Sequence, residues 1–187
     1  MEKNPAIHAT VPKAVSKKRE VWDAETIFFA LDVCDDARLK LAINLSFACS
    51  MRIGEILGLT WDCVDFSPKS IADGTASIII TKELQRVDKT AMKSLEQKDV
   101  LFLYPQSSKR NTSMLVLKKP RTESSIRRFL FRRPLPTSLR HGSSSRSVPR
   151  RLSVGEYTDY NRILANDLGH PMERTRITAL LNAWRSP

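Results

Sequence analysis

Arg52 and Glu55 stand three residues apart in the stretch Ala48-Cys49-Ser50-Met51-Arg52-Ile53-Gly54-Glu55-Ile56-Leu57-Gly58-Leu59-Thr60-Trp61. On a helix this spacing places the carboxylate one turn on from the guanidinium, as an i,i+3 pair on one face. A cation at a helix start opposes the helix dipole unless an anion is to sit beside it. A planar guanidinium suits a phosphate, because it can donate two parallel hydrogen bonds to its oxygens. Glu55 is then placed to hold that guanidinium from behind. The plain alternative is a solvated arginine at the start of a surface helix.

The charge distribution points the same way. The chain of 187 residues carries a formal charge of +11. Residues 101–155 hold thirteen Lys or Arg against one acid, Glu123, so the surplus sits in that segment. The rest of the chain is nearly balanced, with 18 basic and 19 acidic residues. A local basic block is the footprint of a polyanion binder, although a solvated basic run gives the same count. His8, His141 and His170 are too scattered for a metal cluster, and Cys34, Cys49 and Cys63 form no CxxC pair. The composition therefore implies no metal and no cofactor. Unpaired cysteines, the absence of an apolar run long enough to span a bilayer and a polar N-terminus imply a cytoplasmic protein with no membrane partner.

The elements that must position Arg52 read clearly at the front of the chain. Asp23 is a candidate N-cap for a helix from about Ala24 to Cys34, and Asp35 or Asp36 for a second helix reaching about Ser50. Arg52 opens a short third helix, with Gly58 as its expected C′ residue. Ser67-Pro68 and Asp73-Gly74 are turn signals, and Ser77–Thr81 is β-branched enough for a strand. A charged stretch to about Asp99 follows. Val100–Tyr104 and Met114–Leu117 read as short strands, and Arg174–Trp184 as a last helix with Ile177, Leu180, Leu181 and Trp184 on its apolar side. From Arg128 to Ser153, six serines, three prolines and seven arginines follow no apolar period.

The Arg52 motif with its Leu57-Gly58-Leu59-Thr60-Trp61 extension closely resembles the first active-site motif of the tyrosine recombinases, the phage-integrase family of DNA strand-transferases. Lys118-Lys119-Pro120-Arg121-Thr122-Glu123-Ser124-Ser125-Ile126-Arg127 is similar to the segment leaving that family's β-hairpin, which carries a lysine general acid. The resemblance runs from about Lys13 to Arg127, and more faintly over Tyr157–Trp184. It implies an α+β fold: a mostly helical catalytic core of the tyrosine-recombinase type with a small antiparallel β-sheet, truncated before the C-terminal part of the active site. It divides the chain into a linker or tail at 1–20, the N-terminal part of the catalytic domain at 21–127, an irregular basic segment at 128–155 and a partial return of the domain at 156–187.

The resemblance also implies roles. Arg52 corresponds to the first of two arginines that neutralise charge growing on the scissile phosphate, with Glu55 supporting it. The family's lysine aligns with Arg121, a group that cannot give up its proton at useful pH; Lys119, or Lys118 one residue further, could stand in. Lys118, Lys119 and Arg127 are candidate DNA contacts. Thr137-Ser138-Leu139-Arg140-His141 mimics the second arginine motif but follows Arg127 too soon. Leu168-Gly169-His170 imitates the third, but the surrounding Leu164–Glu173 better resembles the turn and strand-like stretch that precedes the second motif. Of the three tyrosines, Tyr104, Tyr157 and Tyr160, none lies where the family places its nucleophile. The expected function is site-specific DNA recombination or integration in a mobile element, carried here by an inactive fragment that partners DNA and can self-associate. The competing reading is a non-enzymatic DNA-binding protein using the basic block 109–151. The abrupt break at Arg127–Arg128 further suggests that residues 128–153 are out-of-frame translation.

Overall fold

The computed structural model describes residues 21–94, 99–106, 110–131 and 157–185. Three helices open the described chain: α1 (Ala24–Val33), α2 (Ala37–Cys49) and α3 (Ile53–Gly58). The Asp23 and Asp36 side chains accept backbone N–H bonds from Thr26 and Leu39, both at 2.8 Å, so each satisfies a donor that the helix start leaves open. Between α2 and α3 the chain turns through Ser50, which sits in the left-handed region at φ 47°. A 3-10 turn (Trp61–Cys63) leads from α3 to β1 (Val64–Asp65). Ser67-Pro68 turns out to start a helix, α4 (Pro68–Ala72), with Ser67 capping it and proline in the first turn, where a missing N–H costs nothing.

Two three-stranded antiparallel sheets follow, where a single sheet was expected. In the first, β2 (Ser77–Ile80) lies between β1 and β6 (Arg127–Leu130). In the second, β5 (Ser113–Lys118) lies between β3 (Glu83–Asp88) and β4 (Val100–Leu103). The charged stretch after Ile80 thus contains a strand, β3, and a helix, α5 (Lys89–Ser94). β3 escapes a pattern search because only Leu84 of its six residues is buried. The expected break at Arg127–Arg128 is also corrected. Ile80, Ile79, Ile78 and Ser77 pair in turn with Arg127, Arg128, Phe129 and Leu130, so ordered pairing runs on through Leu130. Residues 132–155 of the expected irregular segment, and the expected tail at 1–20, lie outside the described residues.

One core joins the helices to both sheets. Leu45, Ile56, Ile78, Ile80 and Leu164 are its most enclosed members. Gly58 is the last residue of α3 rather than a left-handed C′ residue, and its lack of a side chain serves close approach. A Cβ there would lie 2.6 Å from Glu83 Cα on β3, and one at Gly54 would lie 3.2 Å from the Leu84 carbonyl. The helix that carries Arg52 and Glu55 is thereby pressed directly onto the β3 backbone. Residues from Tyr157 return to this core. The Arg38–Asp167 pair at 3.1 Å and the Arg86–Glu173 pair at 2.5 Å tie them to α2 and β3. The last helix, α6 (Arg174–Arg185), buries Ile177 and rests Leu180 and Leu181 against the core; the Trp184 side chain lies outside the described residues.

Candidate functional site

Glu55 is the centre of the candidate site. It occupies the first turn of α3 yet is only 2% exposed, because that helix face is closed by the core. Its Oε2 accepts the backbone N–H of Arg52 at 2.8 Å, which fixes the helix start. The Arg52 guanidinium lies 3.5 Å from Glu55 Oε1 with its side chain 73% exposed. Arg127 comes from β6, where Arg127 and Phe129 face inward while Arg128 and Leu130 face outward. Its Nη1 and Nη2 donate to Glu55 Oε1 and Oε2 at 2.9 and 2.7 Å. Nothing in the local sequence signals this pair, since its members are 72 residues apart. Only the β2–β6 register brings them together.

The electrostatics follow from this geometry. Burial pushes the Glu55 carboxyl up, but the Arg127 hydrogen bonds and the Arg52 N–H outweigh it, holding the group below its ordinary value. The Glu55 carboxylate raises the Arg127 guanidinium in turn. Cys49 lies behind the pair, and burial pushes its thiol up to about 11, which leaves it an inert apolar filler.

The remaining candidates lie at the end of β5, in the loop after it, on the second sheet's rim and in the stretch from Tyr157. Lys118 ends β5 in a 3.0 Å ion pair with Glu83. Lys119 and Arg121 are exposed in the loop between β5 and β6. No hydrogen bond or ion pair among the described residues joins Lys118, Lys119 or Arg121 to the Glu55 cluster. The structure therefore brings together Arg52, Glu55 and Arg127, and does not join the lysine candidates to them. Among the described residues no hydrogen bond joins a tyrosine to the cluster either. Tyr104 is buried, and desolvation raises its hydroxyl despite the nearby Arg162. Tyr160 packs on Tyr104, Phe102 and His170, with ring centroids 5.3, 5.7 and 5.4 Å away. Tyr157 is exposed. Leu168-Gly169-His170 forms a tight turn, in which Asn166 accepts the Leu168 and His170 N–H groups at 3.0 Å. Gly169 stands at φ +84° there, against the Thr158 carbonyl. The Thr137–His141 motif lies outside the described residues.

Two features bear on other chemistries. Among the described residues, no group of three His, Cys, Asp or Glu side chains could hold a metal ion. No helix among them is long and apolar enough to cross a membrane.

Helices packed on small antiparallel sheets, with an exposed arginine at a helix start, define an α+β domain. The phage integrase family profile matches residues 21–154, and the chain belongs to that family. The match runs through the serine- and arginine-rich segment rather than ending at Arg127. The integrase of the transposon Tn1549, solved in complex with transposon right-end DNA, superposes with a TM-score of 0.48 at 12% identity. The superposition covers 93% of this chain and 48% of that one, so the chain spans about half the length of that structure. No curated protein matches the chain.

Proposed function

We propose that this domain binds duplex DNA with Arg52 on a backbone phosphate, as the first-arginine portion of an integrase-type strand-transfer site, and that it does not cut DNA by itself. The observation carrying the reading is the disposition of Arg52 on a saturated Glu55. An exposed guanidinium beside a carboxylate already satisfied by Arg127 keeps its positive charge available to an oxyanion. In a strand-transfer reaction it would donate to the non-bridging oxygens as their charge grows. The basic Lys119 and Arg121 loop would add phosphate contacts, and Arg121 could not protonate a leaving oxygen.

The lack of cleavage is supported by the tyrosines. Tyr104 is enclosed with its hydroxyl shifted away from ionisation, and Tyr160 packs its ring on Tyr104, Phe102 and His170. Exposed Tyr157 shares no hydrogen bond with the Arg52–Glu55–Arg127 cluster among the described residues. Self-association belongs to the same reading, with exposed Phe28, Phe29 and Phe47 on α1 and α2 as its surface. The test is a suicide duplex that traps any covalent protein–DNA link. Binding that falls steeply with salt and leaves no adduct is expected. A tyrosine-linked adduct would overturn the non-cutting part, and salt-independent binding would overturn the whole.

A second reading, a non-enzymatic DNA-binding protein using residues 109–151, is favoured by the charge surplus of that block. A peptide of those residues matching the whole chain's affinity, together with an Arg52→Ala protein that binds normally, would select it.

A further inference from the structure

Glu55 has more cationic partners than its place beside Arg52 requires. Its two oxygens take three hydrogen bonds, one from the Arg52 backbone and two from Arg127. Arg127 also donates to the Ser125 and Ser50 carbonyls, at 3.2 and 3.3 Å, and its guanidinium lies 5.6 Å from the Phe129 ring centre. Two guanidiniums thus face one carboxylate, and the cluster carries one surplus positive charge. Geometry decides which arginine holds it. Both terminal nitrogens of Arg127 are engaged, and its side chain is 29% exposed. Arg52 makes one long contact and stands largely in solvent.

We propose that Arg127 is a positioning residue for Arg52: by occupying Glu55 it keeps the Arg52 guanidinium free and facing outward for a phosphate. The proposal rests on the reading of Arg52 given above. Without Arg127, a buried carboxylate would face a single cation one helical turn away. Arg52 would fold back onto it, because a buried charge left alone is the costlier state. Arg127 is then not itself a phosphate contact, which reverses the role that its sequence segment suggests. The pairing also explains why β6 must reach α3. It is the strand that delivers the neutralising group.

The test compares how steeply duplex-DNA binding falls with salt in the full chain and its variants. Each phosphate contact contributes roughly 0.9 to the slope of log K against log salt. Arg52→Ala should lose about that much. Arg127→Gln should lose the same amount, and the two together no more than either. Glu55→Gln combined with Arg127→Gln should regain the slope, because no buried anion is left to capture Arg52. A Arg127→Gln protein with an unchanged slope would overturn the proposal, as would additive losses in the Arg52→Ala/Arg127→Gln pair, which would make Arg127 a phosphate contact in its own right. An Arg52→Ala protein with the unmodified slope would instead sink the reading of Arg52. Because Arg127→Gln can unfold the domain, side-chain 15N relaxation in the unmodified protein gives a second readout. A rigid Arg127 Nε beside a mobile Arg52 Nε is expected, and an equally rigid Arg52 would overturn the proposal.

Discussion

Glu55 and Arg162 are both charged and both almost sealed from solvent, at 2% and 5% exposure, yet the fold treats them in opposite ways. Glu55 is surrounded by donors and has two guanidiniums in reach. Arg162 donates one hydrogen bond, from Nη1 to the Gly58 carbonyl at 3.1 Å, and lies 5.6 Å from the Tyr104 ring centre. Its Nε and Nη2 have no hydrogen-bond partner among the described residues. Burial pulls the Arg162 guanidinium below its ordinary value, with Tyr104 and Cys63 offsetting part of the effect. One buried charge is therefore matched by opposite charge, and the other is merely tolerated. The difference sets a charge compensated by two guanidiniums against one compensated by a single backbone carbonyl and a neighbouring ring.

Removing the partner of the matched charge should have the largest effect. Arg127→Met leaves Glu55 buried and alone, and a loss of about 3–5 kcal/mol in urea unfolding is expected; a loss under about 1 kcal/mol would mean the pair is solvated. Arg162→Met should do the reverse. It trades an unpaired buried cation for an apolar side chain of similar length, and a gain of roughly 1–3 kcal/mol is expected from the same measurement. A destabilised Arg162→Met protein would show that the Gly58 and Tyr104 contacts outweigh desolvation.

Acid titration sharpens the contrast. Glu55 is held below its ordinary value of 4.5, so its contribution is fully present above that pH and is lost as pH falls through the lower folded value. Stability should therefore decline below about pH 4.5, and Glu55→Gln should flatten that part of the profile. Arg162 supplies no corresponding transition in that range. The smallest effect belongs to Ser50, whose carbonyl accepts from Arg127 while its backbone sits at φ 47°. Ser50→Gly should stabilise by about 0.5–1 kcal/mol in thermal or urea unfolding, because glycine adopts that region without a Cβ penalty.

The sequence and the structure part company along the same line. The capping aspartates, the first three helices and the last helix were legible because their signals are local, an N-cap or an apolar period within a dozen residues. Gly58 was legible as a special position, but for the wrong reason: its conformation is ordinary, and the β3 backbone beside it excludes a side chain. β3 was illegible because Glu83, Gln85, Arg86 and Asp88 give it a polar face and one buried residue. Of the candidate site, Arg52 and its spacing to Glu55 could be read directly. Arg127 could be flagged only as a basic residue on the right segment, since its partner depends on strand register. Arg162 carried no signal, because an arginine one residue after an asparagine gives no hint of burial.

The reach of the Glu55–Arg127 pair has a consequence for the order of folding. The helices α1 to α3 are closed by contacts between near neighbours in the chain. By contrast, the ion pair waits on a loop of 72 residues and on the pairing of β2 with β6. Contacts that close so large a loop are expected to form after the rate-limiting barrier, so substitutions at Arg127 should speed unfolding and leave the refolding rate nearly unchanged. The Arg52–Glu55–Arg127 cluster would then be the last part of the domain to assemble and the first to come apart.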